Sequence, residues 1–154
     1  MTTIISEIQF REVAGTLDPE LQRQLAAQFT EHVLELTDDS RIANGVDVAS
    51  DPGATASELA ASFKTVKAAT IESHTRCGSE GDWKAQAAYF VARACEAALM
   101  PEGYKNTGAA LQSATSARMA RTAWSIDEDD GGDTGEREAQ YLILNEYLSK
   151  RGLS

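Results

Sequence analysis

The sequence of 154 residues has few aromatic residues, two cysteines and no long hydrophobic segment. Aromatic residues make up 6% of the chain, and sheets favour aromatic and β-branched residues, so the composition does not favour a β fold. Cys77 and Cys95 do not make a disulfide framework, and no CxxC motif is present. No segment approaches the run of about 18 apolar residues that a membrane helix needs.

The beginning of the sequence also lacks the pattern of a secretory signal. Residues 1–13, MTTIISEIQFREV, contain no basic region followed by a long apolar stretch, so we expect a cytoplasmic location. The structure of residues 1–16 is otherwise uncertain, because Ile4, Ile8 and Phe10 fit either a short strand or a first helical turn. Gly15 is expected to end whichever of the two forms.

Motifs that carry chemistry are missing as well. The sequence has no glycine-rich dinucleotide or phosphate loop, no GxSxG motif and no zinc motif. His32 and Glu35 are one helical turn apart, but a metal site needs three or four ligands and no second such pair follows. We expect no catalytic residue, no metal and no cofactor. An enzyme with an interhelical pocket is the third of three functional alternatives.

Basic residues are in the minority, and the acidic excess is concentrated near the end of the chain. The net charge is −10 and the pI is about 4.6. From Asp127 to Ser154, eight acidic residues stand against three basic ones, which is half of the net charge in under a fifth of the chain. Such a field repels nucleic acid and anionic membranes and speeds encounter with basic proteins. We expect a basic protein partner, no nucleic acid and no membrane; simple solubility is the alternative.

Hydrophobic residues recur at helical spacing along most of the chain, and alanine, the best helix former, is very frequent. The pattern predicts helices at about 18–37, 40–50, 55–77, 82–100, 106–126 and 134–152. Their starts carry capping signals, which are Asp18-Pro19, Asp39 or Ser40, the Thr55–Glu58 capping box, Asp82, Asn106 or Thr107, and Thr134. We predict a single all-α domain over residues 1–154, an irregular bundle of five or six helices with an alanine-rich core.

The segment from Asp127 to Glu138 is the most unusual local feature, and its acidic residues are predicted to form a contact surface for the partner. They are Asp127, Glu128, Asp129, Asp130, Asp133, Glu136 and Glu138. Counted from Asp127, the spacing is similar to an EF-hand loop, but position 5 is Gly131 and position 8 is Thr134, so a calcium-binding oxygen and the apolar residue are missing. A loop that only keeps a turn hydrated is the alternative.

Arg118 falls on the small-residue stripe of its predicted helix and is expected to be buried. A buried arginine needs a carboxylate, for which Glu96 and Glu72 are the candidates. The pair would fix the fold; the alternative is an anion-binding pocket between helices. Cys95 lies on a similar stripe and is expected in the core.

Several segments, taken in order, resemble one family. They are LQRQLAAQFTEHVLEL, the element Asp39-Ser40-Arg41, the alanine-rich KAQAAYFVARACEAAL and GAALQSATSARMARTA, and EREAQYLILNEYL. Over about residues 17–151 the chain resembles the fifth family of immunity proteins from bacterial polymorphic-toxin systems. The resemblance implies an all-helical protein that neutralises a cognate toxin, with Asp39, Arg41 and the segment Glu136–Gln140 as contacts.

These observations favour a non-catalytic binding protein, an immunity-type inhibitor that occludes a toxin's active site through an acidic surface. The main alternative is a self-assembling helical scaffold, a homo-oligomer that buries its small-residue faces between subunits.

Overall fold

Helices account for the regular structure of the residues that the computed structural model describes, which are 3–76, 82–101, 108–127 and 134–152. Seven α-helices and no strand are found in these ranges. The helices are α1 (Glu7–Thr16), α2 (Pro19–His32), α3 (Ser40–Ser50), α4 (Ala56–Arg76), α5 (Trp83–Leu99), α6 (Ala109–Asp127) and α7 (Glu136–Lys150), with a 3₁₀ turn at Leu34–Leu36. The all-α class is confirmed, whereas the predicted number of five or six helices is too small.

The additional helix is α1, in the segment that the sequence left uncertain. The Oγ of Ser6 accepts a hydrogen bond from the backbone N–H of Gln9, which caps the helix, and Phe10 and Ala14 are buried. Gly15 lies inside α1 and does not end it, because the helix continues to Thr16. The helix expected at 18–37 is also divided, since α2 ends at His32 before the 3₁₀ turn begins.

Three of the predicted helix starts carry the expected side-chain caps. Oδ1 of Asp39 accepts from the backbone N–H of Arg41 at 3.0 Å, and Oδ1 of Asp82 accepts from that of Ala85 at 3.0 Å. Thr55 and Glu58 form the capping box, in which each side chain accepts from the other residue's backbone N–H, at 3.1 and 2.9 Å. These caps are local in sequence, which explains why the pattern predicts them.

The other predicted helix ends either differ from the prediction or lie outside the described residues. The Asp18 side chain makes no capping hydrogen bond, although Pro19 occupies the first helical position. Gly135, with φ of 76°, precedes α7, while the Thr134 hydroxyl accepts from the Glu136 backbone N–H at 3.3 Å. The expected caps Asn106 and Thr107, and the expected end of α4 at Cys77 and Gly78, lie outside the described residues.

The helices bury their apolar faces in two clusters. The first cluster contains residues from each of the five helices α2, α3, α4, α5 and α6. The second cluster contains residues of α1 and α7 together with residues of α2 and α6. Small residues are numerous among the buried residues of α5 and α6, and small residues allow helix axes to approach closely. They include Ala87, Ala94, Ala98, Ala110, Ser113, Ala114, Ala117 and Ala120. Within the described ranges, no helix is both long enough and apolar enough to cross a membrane.

Candidate functional site: the acidic junction of α6 and α7

The predicted acidic surface lies at the connection between α6 and α7. Asp127 is the last residue of α6, and α7 begins at Glu136. Glu128, Asp129, Asp130 and Asp133 lie between them, outside the described residues. The structure therefore describes the two ends of the acidic loop, and those ends define how it is attached to the bundle.

Glu136 anchors the start of α7 and does not face solvent. Its side chain is 2% exposed. Oε1 accepts from Nε of Arg121 at 3.2 Å, and Oε2 hydrogen-bonds Nδ1 of His32 at 2.7 Å. The expectation that Glu136 contacts a partner is therefore wrong for the folded chain, because both carboxylate oxygens are used inside the protein.

Arg121 extends this network from α6 to the end of α2. Its second nitrogen, Nη1, donates to Oε1 of Glu35 at 3.0 Å, and Nη2 donates to the backbone oxygen of His32 at 3.0 Å. A guanidinium has five donors in a fixed plane, which suits it to joining several acceptors at once. The network ties the 3₁₀ turn and three helices (α2, α6 and α7) together at the base of the acidic loop.

Three exposed acidic residues belong to this network or are neighbours of its members along the chain. Glu31 and Glu35 are exposed beside His32, and Glu138 is exposed in the first turn of α7. Ile126, next to the last residue of α6, is 44% exposed and adds an apolar side chain at the same end. We call Glu31, Glu35, Ile126 and Glu138 the acidic junction.

A second polar network joins α1 to α6 and α7. Nη1 and Nη2 of Arg118 donate to the two carboxylate oxygens of Glu7 at 3.0 Å each, and Nε donates to Oε1 of Gln140 at 2.7 Å. The guanidinium also lies over the ring of Phe10, 5.2 Å from its centroid. The expected partners, Glu96 and Glu72, are wrong, because α1 supplies the carboxylate.

The charge of Glu7 is stabilised in this network. Burial raises the pKa of the Glu7 carboxyl, but hydrogen bonds and charge from Arg118, with help from Tyr141 and Arg11, outweigh it and leave the pKa lowered. Because Arg118 directs three nitrogens at protein acceptors, it is a structural residue. The alternative of an anion-binding pocket around Arg118 does not fit these contacts.

Asp39 and Arg41, the other predicted contact residues, pair with each other at the start of α3. Nη2 of Arg41 lies 2.8 Å from Oδ2 of Asp39, and Nη1 lies 2.6 Å from Oε2 of Glu72 on α4. The hydrogen bonds that the Arg41 guanidinium donates to both carboxylates raise the pKa of Arg41. The pair ties α3 to α4, and both side chains remain partly accessible.

The histidines and the buried thiol, the side chains with metal-binding or nucleophilic chemistry, have structural contacts. His32 and Glu35 belong to the network of Arg121, and the His74 ring packs against Tyr89 with centroids 5.3 Å apart. No group of three potential ligands that could hold a metal ion occurs in the described part of the chain. Cys95 is buried, as expected, and burial with the nearby charge of Glu96 raises the pKa of its thiol to about 12.

Comparison with family models, curated proteins and solved structures gives no match for this chain. The acidic junction must therefore be interpreted from its own chemistry. The sequence did not indicate that the end of α2 and the 3₁₀ turn, which carry Glu31 and Glu35, contact α6 near its end, since almost a hundred residues separate them. Their position follows from the contact of Arg121 with His32 and Glu35.

Proposed function

We propose that the chain is a non-catalytic binding protein that inhibits a basic protein, as immunity proteins inhibit toxins. In this proposal the acidic loop and the acidic junction enter a basic cleft of the partner and cover its active site. The observation that carries the proposal is the run of acidic residues from Asp127 to Glu138, which the sequence places between α6 and α7. The resemblance to the immunity family and a cytoplasmic location belong to the same proposal.

The attachment of the loop supports this role. Arg121 on α6 and Glu136 on α7 are paired at 3.2 Å, so the helices on either side of the acidic loop are held together before any partner arrives. Holding the ends reduces the conformational entropy that the loop loses on binding, which favours affinity. The four acidic residues of the loop then act from a fixed base.

The exposed side chains of the acidic junction would add negative charge and an apolar contact to the surface that meets a basic partner. Glu31, Glu35 and Glu138 extend the negative charge onto α2, the 3₁₀ turn and α7. Opposite charges raise the association rate and fix orientation more than they raise affinity. Ile126 provides an apolar contact of the kind that stabilises the centre of an interface once water is excluded. Inhibition would be steric and electrostatic, without chemistry by this chain.

An activity assay tests the proposal. Basic proteins encoded beside the gene for this chain are produced, and the nuclease or other toxic activity of each is measured with increasing amounts of the chain. We expect the activity of the cognate protein to fall to background at a stoichiometric ratio. Undiminished activity of all of them at a large excess of the chain would contradict the proposal.

A self-assembling scaffold is the second candidate, and a different surface favours it. Ile5 and Ile8 are 76% and 79% exposed, and Leu142 on α7 is 65% exposed. Ile4 and Asn145 exchange two hydrogen bonds that place the start of α1 beside α7, so these apolar side chains occupy one region. Light scattering separates the candidates, because a large oligomer that persists in high salt favours the scaffold.

A further inference from the structure

An open groove lies at the end of the bundle where α2 begins, remote from the acidic junction. Its volume is about 900 Å³, near the top of the range of roughly 300–1,000 Å³ that small-molecule sites have. Four segments line it: the start of α2, the α3–α4 connection, the start of α4 and the end of α5. Glu20 and His32 are twelve residues apart along α2, which corresponds to about 18 Å, so the groove and the acidic junction are separate surfaces.

The floor of the groove is apolar and its rim is stiff. Leu59 from α4 and Leu99 and Met100 from the end of α5 provide the larger apolar side chains. All three prolines of the chain, Pro19, Pro52 and Pro101, line the same groove. Proline fixes its own φ angle, which restricts the backbone at three positions around the groove.

The charges at the groove are negative. Asp18 and Glu20 are exposed on its rim and form no ion pair with the described residues. Arg23 also lines the groove, but its Nε donates to the backbone oxygen of Ala49 at 3.0 Å and its Nη2 to that of Asp51 at 2.8 Å. The guanidinium is therefore directed at the end of α3, where it complements the negative pole of that helix. The negative pole of α5 lies at the groove, since α5 ends at Leu99, and so do the positive poles of α2 and α4, which begin there. The full charges of Asp18 and Glu20 stand beside the positive pole of α2 and exceed its partial charge, so the exposed charge at this side of the groove is negative.

We infer that this groove binds a short amphipathic, basic segment of a partner protein. Apolar side chains of the segment would cover Leu59, Leu99 and Met100, and its Lys or Arg side chains would face Asp18 and Glu20. The combination of an apolar floor with an anionic rim selects against anionic lipids and nucleic acid. The inference is independent of the acidic junction, because it concerns other residues at another end of the molecule.

The probe for the test is a fluorescent helix-forming peptide of Leu and Lys with an apolar and a basic face. Its binding to the full chain is followed by fluorescence anisotropy. A60R places a bulky cation on the groove, whereas A61R adds the same side chain to an exposed position of α4 that does not line it. We expect A60R to weaken binding about tenfold or more, and A61R to change it by less than about twofold. Circular dichroism and urea unfolding establish that both variants fold.

A second pair of variants tests the charge without adding bulk. D18N/E20Q removes the two rim carboxylates, and E12Q/D47N removes two exposed carboxylates elsewhere. We expect D18N/E20Q to weaken binding of the Leu/Lys peptide and E12Q/D47N to leave it unchanged. A peptide with Gln in place of Lys is expected to bind much more weakly than the Leu/Lys peptide.

Several results would overturn the inference. These are equal weakening by A60R and A61R, unchanged binding in D18N/E20Q, or equal affinity for the Leu/Gln peptide. Self-association of the wild-type chain that A60R abolishes would assign the groove to a second copy instead. Peptide binding that is lost on neutralising Asp129, Asp130 and Asp133 but not in A60R would assign the peptide to the acidic loop. The activity assay measures inhibition of a basic partner separately, so failure of the groove and failure of the proposed inhibition are distinguishable.

Discussion

Nε of Arg121 lies 3.2 Å from Oε1 of Glu136, and this contact pairs the helix before the acidic loop with the helix after it. Glu136 is almost fully buried, and His32 approaches its other oxygen from α2. The loop that carries four of the chain's acidic residues therefore begins and ends on a base that three helices hold. Stability at this base and binding through the loop are separate properties, and they can be tested separately.

Replacing Glu136 by Gln should destabilise the fold. The substitution keeps the size of the side chain but removes the charge that Arg121 and His32 face, and hydrogen bonds to charged groups contribute about 1.5–3 kcal/mol each. We expect the free energy of unfolding in urea to fall by about 2 kcal/mol. Glu138→Gln is the matched control in the same helical turn, and its exposed side chain should change stability by less than about 0.5 kcal/mol. Equal effects of the two substitutions would contradict this role of Glu136.

The ion pair of Glu7 with Arg118 should make stability depend on pH in acid. The pKa of Glu7 is lowered from 4.5 in the folded chain, so its charge stabilises the fold above about pH 4.5, and this contribution is lost as the pH falls through the lowered pKa. We expect the wild-type chain to exceed Glu7→Gln in stability by about 1–2 kcal/mol at pH 7 and by much less at pH 3. Urea unfolding at both pH values gives the comparison, with Glu12→Gln as the exposed control. A stability difference between the wild-type chain and Glu7→Gln that grows towards pH 3 would contradict a stabilising charge on Glu7.

Gly45 should resist substitution although it lies inside a helix. A Cβ atom at this position would lie 2.6 Å from Cγ2 of Val66 and 2.8 Å from Sγ of Cys95, so α3 packs too closely on α4 and α5 to admit a methyl group. Alanine is the better helix former by about 1 kcal/mol, but overpacking costs about 1–3 kcal/mol. We expect Gly45→Ala to lower the thermal midpoint and Asn44→Ala, its exposed neighbour, to leave it unchanged or raise it. A stabilised Gly45→Ala would show that this contact is looser than described.

The Cys95 thiol should be inert in the folded chain. Burial and the charge of Glu96 raise its pKa to about 12, so almost no thiolate is present at pH 8, and Sγ lies 3.7 Å from the backbone oxygen of Ile42 inside the core. In a Cys77→Ala variant, in which Cys95 is the remaining thiol, we expect no labelling by Ellman's reagent until urea unfolds the protein. Rapid labelling of the native variant would contradict the burial of this side chain.

The features that the sequence predicted are those whose cause is local. The caps at Asp39, Thr55 and Asp82 depend on residues two or three positions away, so the pattern contains both partners. The secondary structure of residues 7–16 could not be predicted, because the apolar residues before Gly15 fit a strand as well as a helix. Burial of Phe10 against Phe29 and Tyr141, which are distant in sequence, resolves it.

The polar contacts between helices were not predictable in the same way. Arg118 was expected to need a carboxylate, and it has one, but the choice of Glu7 depends on where α1 packs. Glu136 and Glu138 are the same residue type two positions apart, so the sequence does not distinguish them. Arg121 and His32 contact Glu136, which is buried, whereas Glu138 is exposed. A single sequence identifies such residue types, whereas tertiary contacts decide their partners.

Binding through the acidic loop is tested by the affinity of the chain for the basic protein that it inhibits in the activity assay. Titration calorimetry at low and high salt would compare the wild-type chain with two variants that each lose three negative charges. One variant changes Asp129, Asp130 and Asp133 to Asn, and the other changes the exposed Glu12, Asp47 and Glu146 to Gln or Asn. We expect the loop variant to lose about tenfold or more in affinity together with most of the salt dependence, and the control variant to lose little. Unchanged affinity of the loop variant, or an equal loss in both, would contradict it.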